Sequence, residues 1–220
     1  MPNKKGQRLR LQIDGEAVCE IDLNASQPSL FSALVGIKMN VGDTWTDAYQ
    51  AVVDKLTIDE DPKVLRSKVK QVIVEMTGSG NSQRKAPAKN NEDNLFNETE
   101  GSLKQYDTIR LAALEVMPAL HKLNRSYLNA TGFLSFHEAK ILTETLLRLK
   151  GMGIVAYGVH DCVIVKCSCK DEAIDTYRDI IRNYVLKVQK KSGVPKVVTD
   201  VALSVEELGS DKVKLSGSYK

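Results

Sequence analysis

"YGVHDCVIVKC", residues 157–167, decides how the rest of the chain is read. Val159 on one side and Val163, Ile164 and Val165 on the other are β-branched and favour strands. The polar pair His160-Asp161 between them marks a tight turn, so 154–168 is predicted to be strand–turn–strand. A carboxylate between apolar strands is costly to desolvate unless something offsets it. Asp161 therefore raises the question of what it faces.

Upstream, "RLRLQIDGEAVCEIDL" (8–23) has two alternating apolar segments around Asp14-Gly15, a strong hairpin signal, with the second strand ending near Asp22. Helices are predicted over 27–37, over 44–56 with Trp45, Tyr49, Val52, Val53 and Leu56 on one face, and from the Asp61-Pro62 start to Thr77. The polar stretch 80–101 reads as a mobile loop ending in one helical turn. Helical periodicity returns over 102–128, kinked at Pro118, and over 135–153, where Ser135 and Glu138 form a capping box. A long helix over 169–193, a last strand within 196–208 and a loose tail 209–220 complete the chain, with no internal repeat. Strands from both ends with helices between them imply α+β: a small antiparallel sheet backed by helices, with a helical insertion.

The 220 residues suffice for one large domain or two small ones, and 42% apolar with 27% charged residues is a globular composition. No apolar run reaches the ~18 residues that span a bilayer, and the N-terminus lacks a signal-peptide core. The expectation is a cytoplasmic protein without membrane contact. Cys19, Cys162, Cys167 and Cys169 form no CxxC pair and fit reduced thiols rather than zinc ligands. The net charge of +3 is mild, but basic residues gather at 4–10, 63–70, 84–89 and 187–191. Such runs suit phosphate backbones and also occur as solvated faces.

Asp22, in "VCEIDLNAS", has the same setting as Asp161: a carboxylate at the end of an apolar strand. If the two strands are neighbours, the acids repel unless a cation lies between them. Oxygen ligands on a rigid sheet suit Mg²⁺, and a pair of such ions activates a hydroxyl and steadies a leaving pyrophosphate. The alternative is that Asp22 caps a helix and Asp161 only makes a turn. Glu20 falls on the same side of its strand as Asp22, as a possible third ligand.

These stretches resemble a known family. "VHDC", preceded by the helix, glycine turn and strand of "LLRLKGMGIVAYG", is similar to motif C of the single-subunit, phage-type RNA polymerases and family A DNA polymerases. "DLNASQPSLFSAL" (22–34) resembles motif A of the RNA polymerase branch, with Asp22, Ser26, Phe31, Ser32 and Ala33 in matching places. "LRSKVKQVIVEMTGSG" (65–80) supplies the Arg and Lys of motif B as Arg66 and Lys70, one helical turn apart. The order A, B, C is kept over about residues 15–190. The resemblance implies a palm-like domain over 1–60 and 102–220 and a fingers-like helix and loop over 61–101. It implies DNA-directed RNA polymerase chemistry by two Mg²⁺ ions. Asp22 and Asp161 would be catalytic metal ligands, joined by the backbone carbonyl of Leu23. Arg66 and Lys70 would bind the nucleotide triphosphate, and His160 would position the strand. Implied partners are a nucleic acid template and nascent strand, nucleoside triphosphates and a second polymerase subunit, in the host cytoplasm if the chain is viral.

The chain departs from the pattern in three places. The Tyr-Gly pair of motif B is replaced by Gly78 and Ser79, which leaves sugar choice open. Leu23 stands where motif A has glycine. The spacing between motifs is short, nearer the DNA polymerase branch, and 220 residues cannot hold a full N-terminal domain and thumb, as in one subunit of a split enzyme or a fragment. Besides a family A-like DNA polymerase, two rival readings are a non-catalytic nucleic-acid-binding subunit and a metal phosphohydrolase using His121, His137 with Glu138, and His160-Asp161.

Overall fold

The computed structural model describes residues 7–88, 94–123, 130–196 and 201–218. The first hairpin pairs β1 (Gln12–Ile13) with β2 (Glu16–Leu23). Its turn residues Asp14 and Gly15 both have positive φ, 50° and 77°, as an Asp-Gly hairpin turn requires. The predicted second hairpin is present as β4 (Ala156–Val159) and β5 (Cys162–Lys166), turning through His160 and Asp161.

β2 is the hub of an antiparallel sheet ordered β4-β5-β2-β6-β7, with β6 at Leu203–Glu207 and β7 at Val213–Leu215. It pairs along one edge with β5 (Asp22 opposite Cys162) and along the other with β6 (Asp22 opposite Ser204). Side chains alternate across a strand. Cys19, Ile21 and Leu23 of β2 and Val163 and Val165 of β5 enter the main core, while Cys162 and Ile164 form a smaller apolar cluster with Val18 and Ile13. Helices α5 (Ala130–Gly151) and α6 (Lys170–Ser192) pack on the sheet and on each other. Gly158 makes the α5 contact possible. A Cβ there would stand 2.9 Å from methyl carbons of both Leu142 and Leu146.

Helix α1 (Ser26–Val35) follows β2 directly. Helix α3 (Pro62–Ser79) is capped by Asp61, whose carboxylate accepts from the N–H groups of Lys63 and Val64. Its apolar face, Leu65, Val69, Val72, Ile73 and Met76, joins the same core as the sheet and α4 (Glu100–Val116).

Several expectations are corrected. The helix predicted over 44–56 is confined to α2, Ala48–Val53, because Asp47 caps it; Trp45 lies instead in a two-residue strand, β3 (Thr44–Trp45), paired with β8 (Gly217–Ser218). The segment 80–101 is more ordered than a mobile loop: Ser82 and Phe96 are buried, Phe96 stacks edge-on against Tyr106, and Arg84 pairs with Glu75. Residues 89–93 of it lie outside the described residues. Pro118 does not kink a continuing helix; α4 ends at Val116 and Pro118–Lys122 is a 3-10 turn, beyond which 124–129 lie outside the described residues. Helix α5 begins before Ser135, so Ser135 is no N-cap and Glu138 no capping-box partner. The tail expected to be loose carries β7 and β8, while 197–200 of the predicted last strand lie outside the described residues. No helix among the described residues is long and apolar enough to cross a membrane.

Candidate active site

Asp22 lies near the end of β2, and its register partner across the ladder, Cys162, directly follows Asp161. The pairing of β2 with β5 therefore brings together acids that are far apart in sequence. Both line one cleft of about 750 Å³, as do Leu23, His160, Arg66 and Lys70. The six residues to which the motif resemblance gave roles thus line the same space.

The acidic floor is built by three elements. Ser26, at the start of α1, donates its hydroxyl proton to Glu138 on α5 and also lies in hydrogen-bonding reach of Asp161. Burial, followed by the negative charges of Asp22 and Glu138, pushes the Asp161 carboxyl from the ordinary 3.8 up to about 6. Burial also raises Glu138, against the pull of Ser26, Gln27 and His160. The Asp161 main chain is fixed from below: the buried Tyr177 of α6 donates its hydroxyl to the Asp161 carbonyl at 2.7 Å.

The backbone around the floor is strained. Among the described residues the non-glycine positions with positive φ are Asp14, Ala25 and His160, and the last two, at 47° and 57°, border the cleft. Left-handed backbone is disfavoured for residues with a Cβ and persists where the surroundings enforce it. Here β2–β6 and β4–β5 pairing on either side enforce it.

The opposite wall is cationic. Arg66, Lys70 and Val74 form an i, i+4, i+8 stripe on α3, facing the cleft while Leu65, Val69 and Ile73 face the core. The Arg66 guanidinium stacks 5.5 Å from the centroid of the Tyr49 ring and donates from Nε and Nη2 to Asp47 Oδ2 at 3.1 and 2.9 Å. Asp47 is also the N-cap of α2 and pairs with Lys214 of β7. Burial pushes the Asp47 carboxyl up, but Lys214, Arg66 and the Gln50 N–H outweigh it and hold it below its ordinary value. Lys212, the residue before β7, places its Nζ 2.9 Å from Asp22 Oδ2. Lys70 is exposed and carries no ion pair among the described residues.

The donor set suits a hard divalent cation. Asp22 and Asp161 present carboxylate oxygens crowded by the charge of Glu138, and the Lys212 ammonium is paired with Asp22. Two carboxylates leave most positions for waters and phosphate oxygens, as Mg²⁺ prefers. Among the described residues no three His, Cys, Asp or Glu side chains are grouped to hold a metal by themselves. Of the rival His/Asp set, Glu138, His160 and Asp161 line the cleft while His137 and His121 do not. His137 Nδ1 lies 2.7 Å from the Tyr184 hydroxyl between α5 and α6, and His121 is on the 3-10 turn outside the cleft. Glu20 pairs with Arg8 at 3.0 Å and does not line the cleft.

Sequence reasoning gave no role to Lys212 and Lys214, which line the cleft, or to Asp47, which holds Arg66 and Lys214 from behind it; Ser26 and Glu138 were named in motif A and in the rival metal set but not joined to each other. The signal for the lysines was Lys-x-Lys at 212–214, a spacing that sends both side chains to one side of an extended segment. For Glu138 the capping pattern gave a sufficient but wrong explanation. The chain matches no protein-family model and no curated protein.

Proposed function

We propose that the cleft carries out template-directed nucleotidyl transfer of the single-subunit polymerase type. The observation that supports this best is the pairing of β2 with β5, which sets Asp22 beside Asp161 across the cleft from Arg66 and Lys70. Asp22 and Asp161, with the Leu23 carbonyl, would hold two Mg²⁺ ions, which would supply activation of a strand's 3′-hydroxyl and charge neutralisation of the leaving pyrophosphate.

The protein's own groups have separable tasks in this reading. Lys70, with no anionic partner among the described residues, takes phosphate oxygens of a nucleoside triphosphate. Arg66, its planar head fixed by Asp47 and Tyr49, presents its remaining donors to the same group. Tyr177 and the Ser26–Glu138 pair hold Asp161 in place before substrate arrives. His160, on the turn between the two strands, positions the growing end. In this arrangement α3 plays the part of the fingers-like helix and the sheet with α5 and α6 that of the palm. Basic stretches track the template, and a second subunit supplies whatever grip this chain lacks.

The test is primer extension on a template with ribo- and deoxyribonucleotides side by side, comparing the protein with Asp161→Asn at matched concentration. The expected result is Mg²⁺-dependent incorporation lost by at least about a hundredfold in the variant. Equal incorporation by both proteins removes the catalytic assignment. Tight binding of the primed template without incorporation at any Mg²⁺ concentration favours a non-catalytic binding subunit instead.

A further inference from the structure

Among the cations of the cleft, Lys212 alone is paired to one of the two acids that would hold metal. Its situation differs from that of Lys214, two residues on and inside β7. Lys214 is tied to Asp47, a carboxylate only 6% exposed that also accepts from Arg66 and from α2 N–H groups. Lys212 is tied to Asp22 with both side chains more than a third exposed, 39% and 34%. Exposed pairs of this kind contribute little and exchange readily, and a lysine stem lets the ammonium swing without moving the backbone. Lys214 is therefore an anchor, and Lys212 can leave.

Building on the nucleotidyl-transfer reading, we propose that Lys212 is a resident counter-ion for the Asp22 carboxylate. It holds the place of a divalent cation until one binds, and then passes to the phosphates of the nucleotide. The charges around the cleft make the exchange reasonable. The carboxylates of Asp22, Glu138 and Asp161 face the cations of Arg66, Lys70, Lys212 and Lys214. A metal-free floor without Lys212 would leave three acids facing one another. Once divalent cations neutralise that floor, an ammonium touching Asp22 is surplus there, and the nearest new anion is the triphosphate. Lys212 thereby couples the two binding events: metal must displace it, and a displaced Lys212 favours the nucleotide. Nothing in the polymerase-like motifs assigns this residue, which comes from the C-terminal hairpin.

The experiment uses the full chain with Mn²⁺ as the metal probe, followed by electron paramagnetic resonance, and inorganic tripolyphosphate as the phosphate probe, followed by calorimetry. The variants are Lys212→Met and Lys212→Gln, with Lys214→Met as the charge-matched control and Asp161→Asn as the metal-site control; a melting curve establishes that each is folded. Expected are Mn²⁺ binding about five- to tenfold tighter in both Lys212 variants than in the parent, and tripolyphosphate binding in saturating Mn²⁺ about tenfold weaker. Unchanged or weaker Mn²⁺ binding overturns the counter-ion role, and so does an equal gain in Lys214→Met, which would be a diffuse field effect. Tighter Mn²⁺ with unchanged tripolyphosphate overturns the transfer to phosphate. If Asp161→Asn abolishes Mn²⁺ binding while the Lys212 variants match the parent, the metal site stands and this proposal alone falls. If the parent binds no Mn²⁺, both fall.

Discussion

The hydroxyl of Tyr177 donates to the main-chain carbonyl oxygen of Asp161 across 2.7 Å, so a helix of the C-terminal half fixes the height of the turn that presents the acid. The ring is almost completely buried, and its phenol lies in a field of carboxylates, Asp161 first, that together with burial keeps its proton on. Tyr177→Phe deletes one buried hydrogen bond and nothing else. It is expected to cost about 1 kcal/mol in denaturant unfolding, leaving the Asp161 carbonyl unpaired. Divalent-ion affinity is expected to fall with it; an unchanged affinity would show that the turn holds its position without the phenol.

The raised Asp161 carboxyl makes a prediction for stability against pH. A carboxyl whose folded-state pKa exceeds its unfolded value holds its proton more tightly when folded. Metal-free protein therefore loses stability as pH rises from about 4 through about 6, with the loss complete above that window. The penalty is on the order of 2–3 kcal/mol at neutral pH. Asp161→Asn removes it, so the variant should melt higher than the parent at pH 7.5 in chelator and no higher at pH 4. A variant that melts lower at pH 7.5 would contradict the charge crowding around this acid.

Asp47 has two tasks that substitutions can separate. Asn is as good an N-cap as Asp, so Asp47→Asn keeps the cap of α2 while removing the charge that orients Arg66 and anchors Lys214. Asp47→Ala removes both. Nucleotide KM is expected to rise several-fold in each, with a further loss of about 1 kcal/mol in melting only for the alanine variant. Equal melting losses would mean that the ion pairs, not the cap, dominate at this position.

Lys70 is exposed and unpaired among the described residues, so Lys70→Ala should leave the melting temperature within a degree or so of the parent. The apparent KM for the nucleotide is expected to rise about tenfold, the loss of one charge-assisted contact to phosphate. A fall in kcat at constant KM would move Lys70 from substrate binding to the chemical step.

Gly158→Ala tests the contact that seats the second hairpin on α5. The added methyl would be driven against Leu142 and Leu146 at 2.9 Å, at a cost of about 1–3 kcal/mol. Pairing with Leu142→Ala should recover part of that loss, and absence of any recovery would place the strain elsewhere.

The two hairpins were legible because each rests on local chemistry. Asp-Gly turns between alternating strands, and β-branched runs flanking His160-Asp161 leave little choice of structure. Helix α3 was equally plain, since Asp61-Pro62 states its start and the apolar period states its face. The nearness of positions 22, 161, 66 and 70 was reached by likeness of motif, and the register of β2 with β5 gives it a geometry. The contributions of 212–218 were not legible. Three- and two-residue strands carry no periodicity of their own, and they form only because β6 and Trp45 offer edges to pair with. Trp45 itself was misread for the reverse reason: its spacing fits the helix that Asp47 in fact starts after it. Glu138 was hidden by a coincidence, a serine three residues before it inside a helix that begins earlier than either.

The place of β2 between β5 and β6 has a consequence for how the molecule comes into being. Both of its ladder partners, residues 162–166 and 203–207, are translated long after it. At roughly 5–20 residues per second, a ribosome leaves Val18, Cys19, Ile21 and Leu23 without either neighbour for on the order of ten seconds or more. During that interval the nascent chain exposes a sticky apolar strand with two open edges, a substrate for chaperones and a seed for aggregation. In return, Asp22 cannot come to stand beside Asp161 until β5 has been synthesised and paired with β2.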